Sequence, residues 1–145
     1  MSYRQILLAV DLSEDSDAIG RRAAAIAAAF GANITLLHVV EFIPMDPSGE
    51  ALMPPPVDLE SELLASGRTR LAELAGRLGL RDSRQEIVLG GIKTEIVRVA
   101  TEIGADLIVL GSHQRHGLAL MLGSTERSLL SATPCDVLAV RVQGG

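Results

Sequence analysis

What most limits the architecture open to this chain is a rhythm: short aliphatic runs, each followed by a helical segment that closes on glycine. Five runs read as strands, at residues 6–10, 34–40, 85–89, 107–110 and 137–142. Most are continuous rather than alternating, which is the pattern of parallel strands covered on both faces. The segments between them carry apolar residues at helical spacing. Ile19, Ala23, Ile26, Ala27 and Phe30 make the inward face of the first helix. Leu59, Leu63, Leu71, Leu74 and Leu78 do so for a second, from about residue 58 to 78, where Gly67 marks a place for a kink or break. Ile96, Val99, Ala100 and Ile103 line a third helix, and a fourth is expected to start near Ser124. Ser13 is the expected cap of the first helix, with Glu14, Asp15 and Asp17 in its opening turn to complement the helix dipole. Gly31, Gly79 and Gly104 stand just past helix ends, where the left-handed conformation stops a helix. Strand, helix, glycine, strand, repeated, spells βαβ units: a parallel sheet with helices on both faces.

Composition narrows the function classes. The 145 residues fit a single domain, 1–145, that buries roughly 70% of its unfolded surface. Apolar residues make up 48% of the chain and aromatics 2%, so the core is aliphatic and intrinsic disorder is excluded. A net charge of −5 with so few stacking rings leaves little for phosphate neutralisation or base stacking, which sets nucleic acid aside as a partner. Cys135 is the one cysteine, so neither an intrachain disulfide nor a Cys-rich zinc site can form. The simplest reading of it is a small buried residue at the start of the last strand. Residues 23–40 carry no charge, yet Gly31, Asn33, Thr35 and His38 mark a helix, a turn and a strand rather than a membrane span. The opening residues lead into a strand-like run without the apolar region of a signal peptide, so the expected location is the cytoplasm. Residues 41–57 hold Pro44, Pro47, Pro54, Pro55 and Pro56 and read as a long loop after the second strand.

In an open parallel sheet, ligands bind at the carboxyl ends of the strands. The first strand ends Ala9-Val10-Asp11-Leu12-Ser13, and the fourth ends Leu110-Gly111-Ser112-His113-Gln114 before a loop to Gly123-Ser124-Thr125. The second is the better phosphate cradle. Gly111 and Gly123 allow close backbone approach, Ser124 and Thr125 open a helix, and Arg115 is the charge between them. Turn glycines and a serine cap explain the same residues equally well. Asp11, beside Glu14, Asp15 and Asp17, suits a sugar hydroxyl or base amine rather than a phosphate. Other motifs fail. Gly90-Gly91-Ile92-Lys93-Thr94 has the wrong spacing for a phosphate-binding P-loop and reads as a strand-to-helix turn capped by Thr94. His113 and His116 lack an evident third metal ligand, and His38 reads as a satisfied core histidine. No acid/base pair with a nucleophile stands out, so the residues make an unpersuasive enzyme.

Taken together, these residues resemble the universal stress protein family over essentially the whole chain. The resemblance rests on residues 6–13, Leu36-Leu37-His38-Val39-Val40, residues 105–113, Leu122-Gly123-Ser124-Thr125 and residues 134–140. It implies a Rossmann-like fold of the adenine nucleotide alpha hydrolase type, with five parallel strands ordered 3-2-1-4-5, and usually a homodimer. In the ATP-binding branch, positions matching Asp11 and the Val39 backbone contact adenosine, and a Gly-x2-Gly-x9-Gly-Ser/Thr stretch holds ribose and phosphates. Carried over, the nucleotide set is Ala9, Asp11, Val39, Leu110, Gly111, Gly123, Ser124 and Thr125, with ATP and magnesium as the implied ligand. Two departures resemble instead the UspA-type branch, in which nucleotide binding is generally absent. Gln114 replaces the second glycine, and eight residues rather than nine separate it from Gly123. The last strand, an edge strand in the family order, is apolar except for Arg141 and has no Pro or Lys to blunt it. Pairing with its copy across a two-fold axis would satisfy its free backbone groups. The expected function is a small dimeric stress-response module with weak or absent nucleotide binding; the alternative is an ATP-binding switch with slow ATPase activity.

Overall fold

The computed structural model describes residues 2–41, 57–111, 133 and 135–141. The elements are β1 (Gln5–Ala9), α1 (Ser16–Phe30), β2 (Asn33–Glu41), α2 (Val57–Arg77), β3 (Arg84–Gly90), α3 (Ile92–Ile103), β4 (Leu107–Gly111) and β5 (Asp136–Val140). All five strands run parallel in the order β3-β2-β1-β4-β5, as the resemblance implies. Each lies within two residues of its expected run. The fourth helix expected near Ser124 lies outside the described residues, as does the proline-rich run.

Alternation along β1 divides the interior in two. Ile6 and Leu8 face α1 and α2, packing with Ile19, Ala23, Leu36, Leu71 and Leu74. Leu7 and Ala9 face α3, packing with Leu37, Ile96, Val99, Ile108 and Leu110. A strand buried on both sides has no polar face to show, which is why the sequence lacked alternation there. The three helix exits share one geometry. Gly31, Gly79 and Gly104 have φ of +66°, +71° and +66°. The next amide in each case bonds back five residues: Ala32 to Ala27, Leu80 to Ala75 and Ala105 to Ala100, all at 2.8 Å. This is the Schellman closure that glycine makes without steric penalty.

Several expectations need correction. Ser13 does not cap α1. The helix begins at Ser16 after Asp15, which has helical φ and ψ and makes no side-chain cap bond. Ser13 lies instead in the turn ahead of the helix, where its carbonyl accepts the Ser16 amide at 3.0 Å and its own amide is held by the Asp11 carboxylate in an Asx turn. Nor does Thr94 cap α3. Gly91 holds that position in extended conformation, which leaves Thr94 inside the first turn. Gly67 does not break α2; it faces the sheet, where a β-carbon would stand 3.4 Å from Ile87 and 3.5 Å from His38, at ordinary contact distance. Phe30, Leu59 and Leu63, assigned to inward faces, are about two-fifths exposed. Phe30 sits at the last residue of α1, edge-on to Tyr3. Leu59 and Leu63 lie in the first two turns of the 21-residue α2, while the fully buried Leu71 and Leu74 lie in its second half.

Candidate functional site

The carboxyl ends of β1 and β2 and the first turns of α3 enclose a cleft lined by Ala9, Val10, Asp11, Leu37, Val39, Ile92 and Ile96. Its volume is about 20 Å³. Three of the sequence-derived residues, Ala9, Asp11 and Val39, therefore share one small space. Leu110 and Gly111 are buried at the end of the neighbouring β4, where Leu110 follows the residue registered with Leu8. Gly123, Ser124 and Thr125, with Gln114 and Arg115, lie outside the described residues, as do His113 and His116. A wider depression of about 850 Å³ opens at the other end of the sheet, beside Asn33, Thr35, Asp82 and Arg84. Ligands in this sheet type bind at the carboxyl ends, so the smaller cleft is the candidate despite its size.

The polar groups of the cleft are held by the turn between β1 and α1. Asp11 Oδ1 accepts from the Ser13 amide at 2.9 Å and from the Ser16 hydroxyl at 3.4 Å. Leu12 has φ of +62°, the one positive value at a non-glycine position among the described residues. That conformation costs about 1–2 kcal/mol for a residue with a β-carbon. Leu12 is nevertheless buried in the α1–α2 core. Two side chains from elsewhere grip the carbonyls on either side of Asp11. The His38 ring nitrogen Nδ1 lies 2.9 Å from the Val10 oxygen, and because a carbonyl only accepts, the proton is on Nδ1. The Arg70 guanidinium donates to the Leu12 oxygen at 2.6 Å. Burial holds the His38 imidazole below its ordinary pKa; the Val10 bond opposes that shift and the nearby Arg70 charge adds to it.

His38 thus proves to be the satisfied, part-buried histidine expected from its strand. Arg70 had no signal in the sequence, because its partner is 58 positions away. Ile92 and Ile96 complete the cleft; Ile96 was legible as an inward residue of the third helix, whereas Ile92 was hidden within the failed P-loop motif. Cys135 is half-buried and its thiol pKa is raised by burial, with the nearby Asp136 and Asp106 carboxylates adding to the shift. Among the described residues, no three His, Cys, Asp or Glu side chains gather as a metal site, and no helix is long and apolar enough to cross a membrane.

The comparisons agree with this geometry. The pattern of the universal stress protein family matches residues 2–141. Universal stress protein A homolog 1 of Coxiella burnetii is 38% identical over 140 residues, which are 97% of each chain. The solved universal stress protein UspA from Lactobacillus plantarum is 28% identical with a TM-score of 0.70, covering 97% of this chain and 99% of its own. A universal stress protein solved in complex with cAMP shares the fold at 22% identity and a TM-score of 0.68, covering 97% of this chain and 98% of its own. With its strand order, its strand-end aspartate and these whole-length matches, the chain belongs to the universal stress protein family.

Proposed function

We propose that this universal stress protein works as a cytoplasmic, dimeric regulatory module of the stress response, and that its strand-end cleft takes adenine nucleotide only weakly. One observation carries the reading: a cleft of about 20 Å³ in which Asp11 Oδ1 already accepts two hydrogen bonds. Pockets that hold small ligands well measure about 300–1,000 Å³. A nucleoside would have to part Val39 from Ile92 and Ile96 and compete with Ser13 for the carboxylate. The energy spent on that opening is subtracted from affinity. The dimer reading draws on β5, which pairs with β4 alone among the described strands and presents half-buried Val137, Leu138 and Ala139. A second copy on that edge would cover them and pair the free backbone groups.

The second reading, an ATP-binding switch with slow hydrolysis, is favoured by one fact: Ala9, Asp11 and Val39 line the same cleft. In that reading Asp11 and Val39 meet adenosine, while Gly111, Gly123, Ser124 and Thr125 hold ribose and phosphates. The chain of like fold solved with cAMP lends general support. Calorimetric titration of the nucleotide-stripped protein with ATP and magnesium separates the two. Dissociation weaker than about 0.1 mM, or about −5.5 kcal/mol, is the expected result. Low-micromolar binding would overturn it and put the switch first. Light scattering during gel filtration tests the dimer, and a monomer at micromolar concentration would refute it.

A further inference from the structure

The strain at Leu12 has an owner. Leucine at φ +62° does not hold that conformation by preference, and non-glycine residues remain in the left-handed region only where surrounding structure imposes it. Here the imposing groups come from two other elements. From α2, Arg70 donates to the Leu12 carbonyl at 2.6 Å. From β2, His38 donates to the Val10 carbonyl at 2.9 Å. Gly67, one helical turn before Arg70, faces the same imidazole, with His38 Cδ2 3.5 Å from where its β-carbon would be. Between the two gripped carbonyls stands Asp11, a residue that lines the cleft and whose carboxylate accepts the Ser13 amide.

We infer that Arg70 is a positioning residue for the strand-end cleft: its guanidinium, with His38 on the other side of Asp11, holds residues 10–13 in the one backbone conformation that aims the Asp11 carboxylate into the cleft. The ligand class is the adenine nucleotide of the preceding reading, on which this inference rests. Arg70 acts through the Leu12 carbonyl and not by touching the nucleotide. A residue bonded to a ligand phosphate would instead act independently of the conformation at residue 12. The difference is measurable.

The test is a double-mutant cycle between Arg70→Met and Leu12→Gly, read by exchange of the Ser13 amide hydrogen and by an ATP–magnesium titration followed through amide chemical shifts. In the Leu12 background, Arg70→Met is expected to speed Ser13 exchange and weaken ATP binding by about tenfold or more each, the scale of one hydrogen bond from a charged group. In the Leu12→Gly background the left-handed turn carries no penalty, so both effects of Arg70→Met should shrink to under about threefold. Equal factors in the two backgrounds, or unchanged Ser13 exchange on Arg70→Met, would overturn the inference. If Arg70→Met fails to fold, Arg70→Gln replaces it in the same cycle. A parent protein whose amides do not respond to ATP refutes the nucleotide reading; Ser13 exchange then decides by itself whether Arg70 sets the turn.

Discussion

The two ends of this sheet solve the same problem in opposite ways. Both must turn the chain through left-handed backbone. At the amino end, where helices hand over to strands, Gly31, Gly79 and Gly104 do so with no β-carbon to strain. Side chains there simply bolt the end together: Asp106 accepts the Arg4 and Gln5 amides at 2.9–3.2 Å, and the Tyr3 hydroxyl donates to Asp136 at 2.7 Å. At the carboxyl end the turn after β1 uses a buried leucine, held by Arg70 and His38 from a distance. Relaxed turns support the scaffold, and the strained one borders the cleft. Conformational energy is stored where a ligand could use it.

The largest effect should come from Leu12 itself. Leu12→Ala removes a buried side chain at about 2–5 kcal/mol while keeping the β-carbon that the turn resents. Leu12→Gly removes both. Relief of about 1–2 kcal/mol outweighs the 0.5–1 kcal/mol or so of extra chain entropy that glycine brings, so Leu12→Gly should be the more stable of the two in urea titrations. Alanine is ordinarily the better residue, so the usual order would erase the contrast between the ends. At the amino end, Gly31→Ala should cost about 1–2 kcal/mol even though no heavy atom lies within 4 Å of the added methyl. A neutral result would show that the amino-end turns tolerate strain as well.

A subtler effect is expected from pH. Burial lowers the His38 pKa, so the unfolded chain binds that proton more readily than the folded one. The stability His38 contributes is thus complete above its unfolded value of about 6.5 and is lost as pH falls from there toward the folded value. Thermal midpoints should drop across that window, and His38→Gln should flatten the drop. The smallest change is expected at the rim. Arg77 grips Asp17 at 2.9 Å through two nitrogens and holds its carboxyl below the usual range, yet both groups face water and salt. Removing Arg77 should alter stability least of all and leave the Ser13 amide untouched.

What the sequence made legible follows from the range of each interaction. The five strands and the three glycine exits could be read because periodicity and backbone freedom are local properties. Asp11, Ala9 and Val39 were legible because the family motif places them at strand ends. Ser13 misled, since a serine before an acidic first turn looks like a cap, whereas it sits in a turn that precedes the helix start at Ser16. Arg70 and the left-handed Leu12 were invisible. One is a contact across 58 positions, and the other is a conformation leucine would not choose alone. Leu59 and Leu63 had the right spacing for a buried face yet are exposed; spacing reports which residues share a face, not how far along the helix that face is covered.

The most direct test is to titrate isotope-labelled, nucleotide-stripped protein with ATP and magnesium and map which amides move. Shifts are expected at Ala9, Asp11, Ser13, Val39 and Gly111, half-saturating above about 0.1 mM, with Gly31 and Gly104 silent. Shifts centred on the amino-end turns, or none up to about 10 mM, would contradict that expectation.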